Sequence, residues 1–226
     1  MFYEPLKESH GMNHDPFKSC VVPRPIGWIS TISDKGIHNL APYSQFQNLT
    51  FNPPYIMFSA NQNTSSNRKD TVVNIEATGE FVHNMATYDL REAVNKSAQD
   101  VPPEEDEFEV AGVTKEPSRL VKPARVAESP VHFECTYYQT IRLPCNDQRS
   151  SVDIVIGRVI GIHIKEEYIT SDGKLDILKI RPLARLGYHD YTSVESIFEM
   201  DIPGNNKELI DGLEGWTSDP SKTGPS

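Results

Sequence analysis

The sequence predicts a mainly β fold that curls toward a barrel, and three observations carry that expectation. Val131, Phe133, Cys135, Tyr137 and Ile141 alternate with polar neighbours, the pattern of a half-buried strand. Val152, Ile154, Ile156, Ile160, Ile162 and Ile164 all fall on even positions of one long strand. Within it, Gly157 and Gly161 permit sharp coiling or a close neighbour. Seventeen prolines and thirteen glycines cut the rest into short pieces, with no repeat or low-complexity tract. A long coiled strand among short ones suits a barrel, with a few short helices attached.

The elements follow in order. Residues 1–14 read as an N-terminal arm, 15–200 as one domain and 201–226 as a loose tail carrying Gly, Pro and Ser. Residues 25–33, PIGWISTIS, are rich in β-branched and aromatic side chains and end at the turn Ser33-Asp34-Lys35-Gly36. A second extended stretch, Asn39 to Leu49, follows at hairpin distance, and Pro53-Pro54 breaks the chain before the strand Tyr55 to Ala60. After the polar run NQNTSSNRKD, Val72, Val73 and Ile75 with Gly79 as a stop predict a short helix beginning near Asp70. Phe81 to Ala86 reads as a buried strand, and Leu90, Ala93, Val94 and Ser97 place a helix within Tyr88 to Ala98. Residues 100–109 hold six acidic side chains and no basic one, the composition of a solvated loop. Leu175 to Arg181 is expected to pair as a final strand after the turn Thr170-Ser171-Asp172-Gly173.

Charge narrows the function. Twenty-two Lys and Arg stand against 32 Asp and Glu, a formal net charge of −10. That balance disfavours a nucleic-acid backbone binder, which needs a basic face. No apolar run reaches the length of a membrane span, and MFYEPLKESHG lacks the basic start and apolar core of a secretion signal. Cys20, Cys135 and Cys145 form neither a staple framework nor a CxxC pair, so a reducing cytoplasm is the expected setting. Phosphate-loop, dinucleotide, zinc-protease and serine-hydrolase signatures are all missing, and seven scattered histidines offer no metal spacing.

One segment carries chemistry. In Ser65-Ser66-Asn67-Arg68-Lys69-Asp70-Thr71, hydroxyls, an amide and two cations precede the expected helix start. A helix N-terminus presents unpaired N–H groups and a positive dipole end, which suits a phosphate. The alternative is that Asp70 caps the helix and the cations are solvated.

The order of motifs then matters. VVPRPIGWISTISDKGIHNLAPYSQFQNLTFNPP, RKDTVVNI, TGEFVHN, DEFEVAGVT, SPVHFEC, DIVIGRVIGIHI and RPLARLGYHDY together resemble the flavin reductase-like FMN-binding proteins of the flavoredoxin type, over roughly residues 15 to 195. The resemblance implies a split β-barrel with Greek-key topology, a homodimer, and FMN near the subunit interface. It gives the polar loop a ligand, since the FMN phosphate carries about −1.5 to −2 charge near neutral pH. Arg68 and Lys69 would neutralise that phosphate, with Thr71 and backbone N–H groups donating to its oxygens, Asp70 beside them and Ser65 and Asn67 as helpers. Tyr43, Ser44, Gln45 and Phe46 would run along the flavin edge, with Ser59 and Asn61 near the ribityl chain or ring. Trp28 and Ser30 lie on the facing strand, where core packing and cofactor contact both suit Trp28, as they do Phe46. His189 and Tyr191 match a stretch near the flavin pocket.

Two positions depart from the family pattern. Tyr188 stands where a second glycine is more usual, which alters access to the pocket. Val152 stands where the short reductases often carry a histidine that meets the nicotinamide, which leaves NADH or NADPH as donor open. The resemblance therefore implies an FMN-dependent oxidoreductase that passes electrons from a reduced nicotinamide or other donor to a small acceptor. Its electron partner would be a small molecule or a protein, and the cofactor would do the chemistry, so no catalytic side chain is named. The alternatives are an FMN-holding electron carrier without efficient NAD(P)H turnover, and a barrel that binds some other ligand.

Overall fold

A computed structural model describes residues 1–5, 7–61, 68–145 and 151–200. The strands and helices run β1 Arg24–Pro25, β2 Gly27–Ile32, β3 His38–Tyr43, β4 Phe46–Phe51, β5 Pro54–Asn61, α1 Asp70–Thr78, β6 Glu80–Met85, α2 Arg91–Lys96 and α3 Glu107–Ala111. They continue with β7 Lys115–Glu116, β8 Arg125–Val126, β9 Val131–Pro144, β10 Ser151–Ile164, α4 Ile177–Ile180, β11 Leu183–Gly187 and β12 Asp190–Ser193. Met1–Glu195 packs as one unit; Ser196 begins a second, whose described residues 196–200 carry no helix or strand.

The main sheet is antiparallel, in the order β3-β2-β6-β9-β10-β5-β4. Its curl brings Phe46 of β4 onto Gly27 of β2, where an added Cβ would lie 2.5 Å from the phenyl ring. Among the described residues no ladder joins β4 to β2 or β3, so that edge closes by side-chain packing. This is a split barrel. Gly157 serves the same purpose on β10, since a Cβ there would meet Phe81 at 2.2 Å. The close neighbour expected at that glycine is a phenyl ring from β6.

β2 is buried on both faces. Ile29 joins Tyr43, Phe58, Val72, Ile75, Phe81, Cys135 and Val155 in one core, while Trp28 joins Ile26, Leu40, Val94, Phe108 and Leu183 in a second. On β10 the inward side chains are Asp153, Val155 and Val159, so the even-numbered isoleucines face away. Ile160, Ile162 and Ile164 are 39%, 56% and 40% exposed.

Three expectations need correction. Asn39 to Leu49 is not one strand, because Ser44 and Gln45 interrupt it between β3 and β4. Residues 100–109 are not wholly a solvated loop: Asp106 accepts from the Phe108 N–H and starts α3, which buries Phe108 and Glu107. Leu175 to Arg181 is not a strand either. Asp176 accepts from the Lys179 N–H, the local capping geometry turns the chain into α4, and Leu175 keeps a single bridge to Ile169. The last strands are β11 and β12, which form a separate sheet with β1.

Candidate functional site

α1 begins at Asp70 and ends at Gly79, whose left-handed φ of 74° lets its N–H return to the Ile75 carbonyl. Lys69 occupies the N-cap position with no side-chain cap, so Asp70 sits in the first turn and does not cap the helix. Val72 and Val73 donate to the Lys69 carbonyl. The first-turn N–H groups of Asp70 and Thr71 thus carry no intrahelical bond, the arrangement that favours an anion. Among the described residues Lys69 reaches the exposed Asp100, at 3.5 Å.

Arg68 is placed differently. Its two terminal nitrogens donate to both oxygens of Glu76, at 2.6 and 2.7 Å, and its Nε donates to buried Asp153 at 3.0 Å. Arg142 also donates to Asp153, at 2.9 Å. Two carboxylates, Glu76 and Asp153, therefore pair with Arg68 within the chain. Thr71 is buried and its hydroxyl donates to Asn39 Oδ1 at 2.7 Å. Asn39 turns its amide nitrogen to the buried Glu107 carboxylate, which also accepts from the Leu40 N–H. Burial raises the Glu107 pKa from 4.5 to about 7. Ser65 and Asn67 lie outside the described residues.

The flavin-edge candidates are brought together. Tyr43 is buried against Phe58 with ring centroids 4.7 Å apart, and its hydroxyl lies beside Thr71, where burial raises its pKa. Ser44 follows directly and lines a cleft of about 690 Å³. The Gln45 carbonyl accepts from the Ser59 N–H at 2.9 Å. Asn61 is exposed at the end of β5, opposite Val152. Phe46 stacks on the buried, neutral His83 at 4.4 Å, so its ring is committed to closing the barrel.

Trp28 and Ser30 lie inside the protein. Both are fully buried; the indole N–H donates to Ser97 at 2.8 Å, and the Ser30 hydroxyl donates to the Ala124 carbonyl at 2.6 Å. Their polar atoms are satisfied inside the protein. Cys135 is a buried thiol whose pKa burial pushes upward, the state of an inert core cysteine.

His189 lines the same cleft as Ser44, together with Lys18, Arg24, Arg185 and Tyr188. Tyr191 does not: its ring borders a separate cavity of about 310 Å³ beside Tyr88 and Leu183, while its hydroxyl accepts from Arg185. The sequence reading missed Arg24, Arg185 and Lys18. The only available signal was that both arginines stand in short motifs already singled out, VVPRPIGW and RPLARLGYHDY.

The split barrel thus carries a helix start flanked by Lys69 and a cleft lined by Arg24, Arg185 and Lys18. The family described as a flavin reductase like domain matches residues 19–189, and the chain belongs to it. An uncharacterized protein of Aquifex aeolicus is 39% identical over 74% of this chain and 82% of its own length. Among solved structures, nitrilotriacetate monooxygenase component B from Bacillus cereus superposes with a TM-score of 0.81 at 29% identity, covering 88% of this chain and 98% of that one. Flavoredoxin of Desulfovibrio vulgaris (Miyazaki F) gives 0.68 at 20% identity, over 86% and 97% of the two chains. An FMN-binding protein from Thermus thermophilus gives 0.65 at 14%, over 86% and 100%. At these identities the last two speak for the fold. No helix among the described residues is long and apolar enough to cross a membrane.

Proposed function

We propose that this chain binds FMN between the start of α1 and the Ser44 cleft and acts as an FMN-dependent oxidoreductase. One observation carries the reading: the Tyr43 hydroxyl lies beside Thr71 at the helix start, while the next residue, Ser44, opens onto the cleft. Two adjacent residues thus connect a phosphate-type donor set to a cavity of ligand size. The fit is chemical: among the described residues Lys69 is half-exposed and pairs with exposed Asp100, and the first-turn N–H groups of Asp70 and Thr71 have no intrahelical partner.

Lys69 would neutralise the phosphate, the Asp70 and Thr71 N–H groups would donate to it, and the break between β3 and β4 would present backbone groups to the ring. Bound FMN supplies the redox chemistry, accepting a hydride or electrons from a reduced nicotinamide or another donor and passing them to a small acceptor. The protein anchors, orients and excludes water. A second reading, an electron carrier without efficient NAD(P)H turnover, is favoured by Val152 at the position where the short reductases often carry a histidine.

The exposed row Ile160, Ile162 and Ile164 on β10 supports a homodimer, because a soluble barrel seldom leaves such a row in water. Sedimentation is expected to give twice the mass of the chain, and a monomer at micromolar concentration would refute the pairing. Free cysteines and the acidic charge balance support a cytoplasmic setting. The test of function is visible absorbance. Purified protein given FMN should turn yellow and bleach anaerobically with NADH or NADPH. Yellow protein that ignores both donors favours the carrier, and protein that stays colourless with FMN refutes the cofactor.

A further inference from the structure

The cleft lined by Ser44 is built around an unneutralised pair of arginines. Arg24 and Arg185 are cross-strand partners in the β1–β11 ladder, and both line the cavity. Like charges directly opposite one another destabilise a sheet. Arg24 is only 9% exposed. One of its terminal nitrogens donates to the carbonyls of Lys18 and Val21, while its Nε is buried without a partner. Among the described residues neither arginine ion-pairs with a carboxylate, and Lys18 adds a third cation to the same wall. Among the described residues the one acid in the lining, Asp15, accepts from the Phe17 N–H at 2.9 Å. Arg185 is held in place by donating to the Tyr188 carbonyl and the Tyr191 hydroxyl, with its guanidinium 4.4 Å from the Tyr191 ring centre.

A buried guanidinium without a counter-charge is costly, and an acid group between the two arginines would remove both that cost and their repulsion. We propose that this cleft is the substrate pocket for a compact organic acid, whose carboxylate is held between Arg24 and Arg185. Two arginine forks suit the planar carboxylate. Tyr188, His14 and His189 give the body of the ligand flat surfaces to lie against, with the Tyr188 and His14 rings 5.6 Å apart. The cations form one cluster, which fits a single acid group; a dinucleotide would call for positive charge along a longer groove. Tyr188 adopts a left-handed φ of 48° that favours glycine, and its aromatic side chain occupies this wall despite that strain.

The role as substrate pocket rests on the oxidoreductase reading, whereas the preference for an acid does not. The experiment is calorimetric titration of the full chain, with and without added FMN, using benzoate and its uncharged analogue benzamide. Benzoate is expected to bind about tenfold more tightly or better, and Arg185→Gln to erase the difference. Arg185→Lys should restore only part of it. Arg24→Gln is the second variant, so a folding failure in one leaves the other to decide. Equal binding of benzoate and benzamide, or a preference untouched by either arginine variant, overturns the proposal. So does NADH binding that exceeds benzoate binding and falls with Arg185→Gln, since that would make the pocket a dinucleotide site. Loss of FMN binding in Arg185→Gln would assign the arginine to the cofactor and overturn it too. A benzoate preference in protein that takes up no FMN would sink the cofactor reading alone.

Discussion

Two pairs of arginines in this barrel are neutralised in opposite ways. Arg68 and Arg142 converge on Asp153, and Arg68 takes Glu76 as well, so each positive charge near α1 meets an acid from the same chain. Arg24 and Arg185 face each other across β1 and β11 with no acid bound to either among the described residues. The first arrangement is self-sufficient and ties the approach to α1 onto β9 and β10. The second remains incomplete until an anion arrives. A folded chain that satisfies one set of charges and leaves another unsatisfied separates positioning groups from ligand-facing ones more sharply than residue type does. By that criterion Lys69 belongs with the ligand-facing groups and its neighbour Arg68 does not.

The comparison breaks first, and by the largest amount, at Glu107, the buried acid that supports α1 through Asn39 and Thr71. Its pKa is raised to about 7 by burial, with Lys69 pulling it down and Asp70 and Asp106 pushing it up. A carboxyl whose folded pKa exceeds its unfolded value stabilises fully below the unfolded 4.5 and loses that contribution as pH rises through about 7. The Glu107→Gln variant should abolish this pH slope, a difference of up to about 3 kcal/mol between pH 4.5 and 8 in urea unfolding. Identical slopes in the two proteins would remove Glu107 from the support of α1. Next in size is Lys69→Ala, expected to weaken FMN about tenfold, or ~1.4 kcal/mol, while leaving riboflavin unchanged. Arg68→Ala should cost stability and show little preference between the two flavins. If Arg68→Ala alone separates FMN from riboflavin, the assignment of roles to these neighbours is reversed.

What the sequence could show followed from contiguity. Helix α1 was legible because Asp70, the apolar Val72 and Ile75, and Gly79 lie within ten residues, and the polar loop ahead of it needed no tertiary information. β9 and β10 announced themselves by the alternation from Val131 to Ile141 and from Val152 to Ile164. The arginine pair was invisible, because Arg24 and Arg185 are 161 positions apart and only the short β1–β11 ladder aligns them. The commitment of Arg68 was hidden for the same reason, since Asp153 lies on a strand that only the closed barrel brings near. Trp28 was ambiguous in sequence because β2 buries both faces, which alternation does not signal. At Leu175 to Arg181 a β-rich composition misled, and a single capping aspartate, Asp176, outweighed it.

The smallest effect tests the cleft with no ligand present. Replacing Arg185 by glutamine removes one of two like charges from a cross-strand pair, which favours folding by at most ~1 kcal/mol. It also gives up donations to the Tyr188 carbonyl and the Tyr191 hydroxyl, which glutamine can replace only in part. These two changes nearly cancel in physiological salt, so the informative quantity is how they separate with ionic strength. Repulsion between the arginines weakens as salt screens it, whereas neutral hydrogen bonds respond little. Added sodium chloride should therefore stabilise the wild-type chain more than Arg185→Gln, by about 0.5 kcal/mol between 20 and 500 mM, read from urea midpoints. The same variant series around Asp153 should show the reverse, because salt weakens an attraction there. Parallel salt responses in the two regions would mean that the Arg24–Arg185 pair is already neutralised within the chain, and the distinction between the regions would fall.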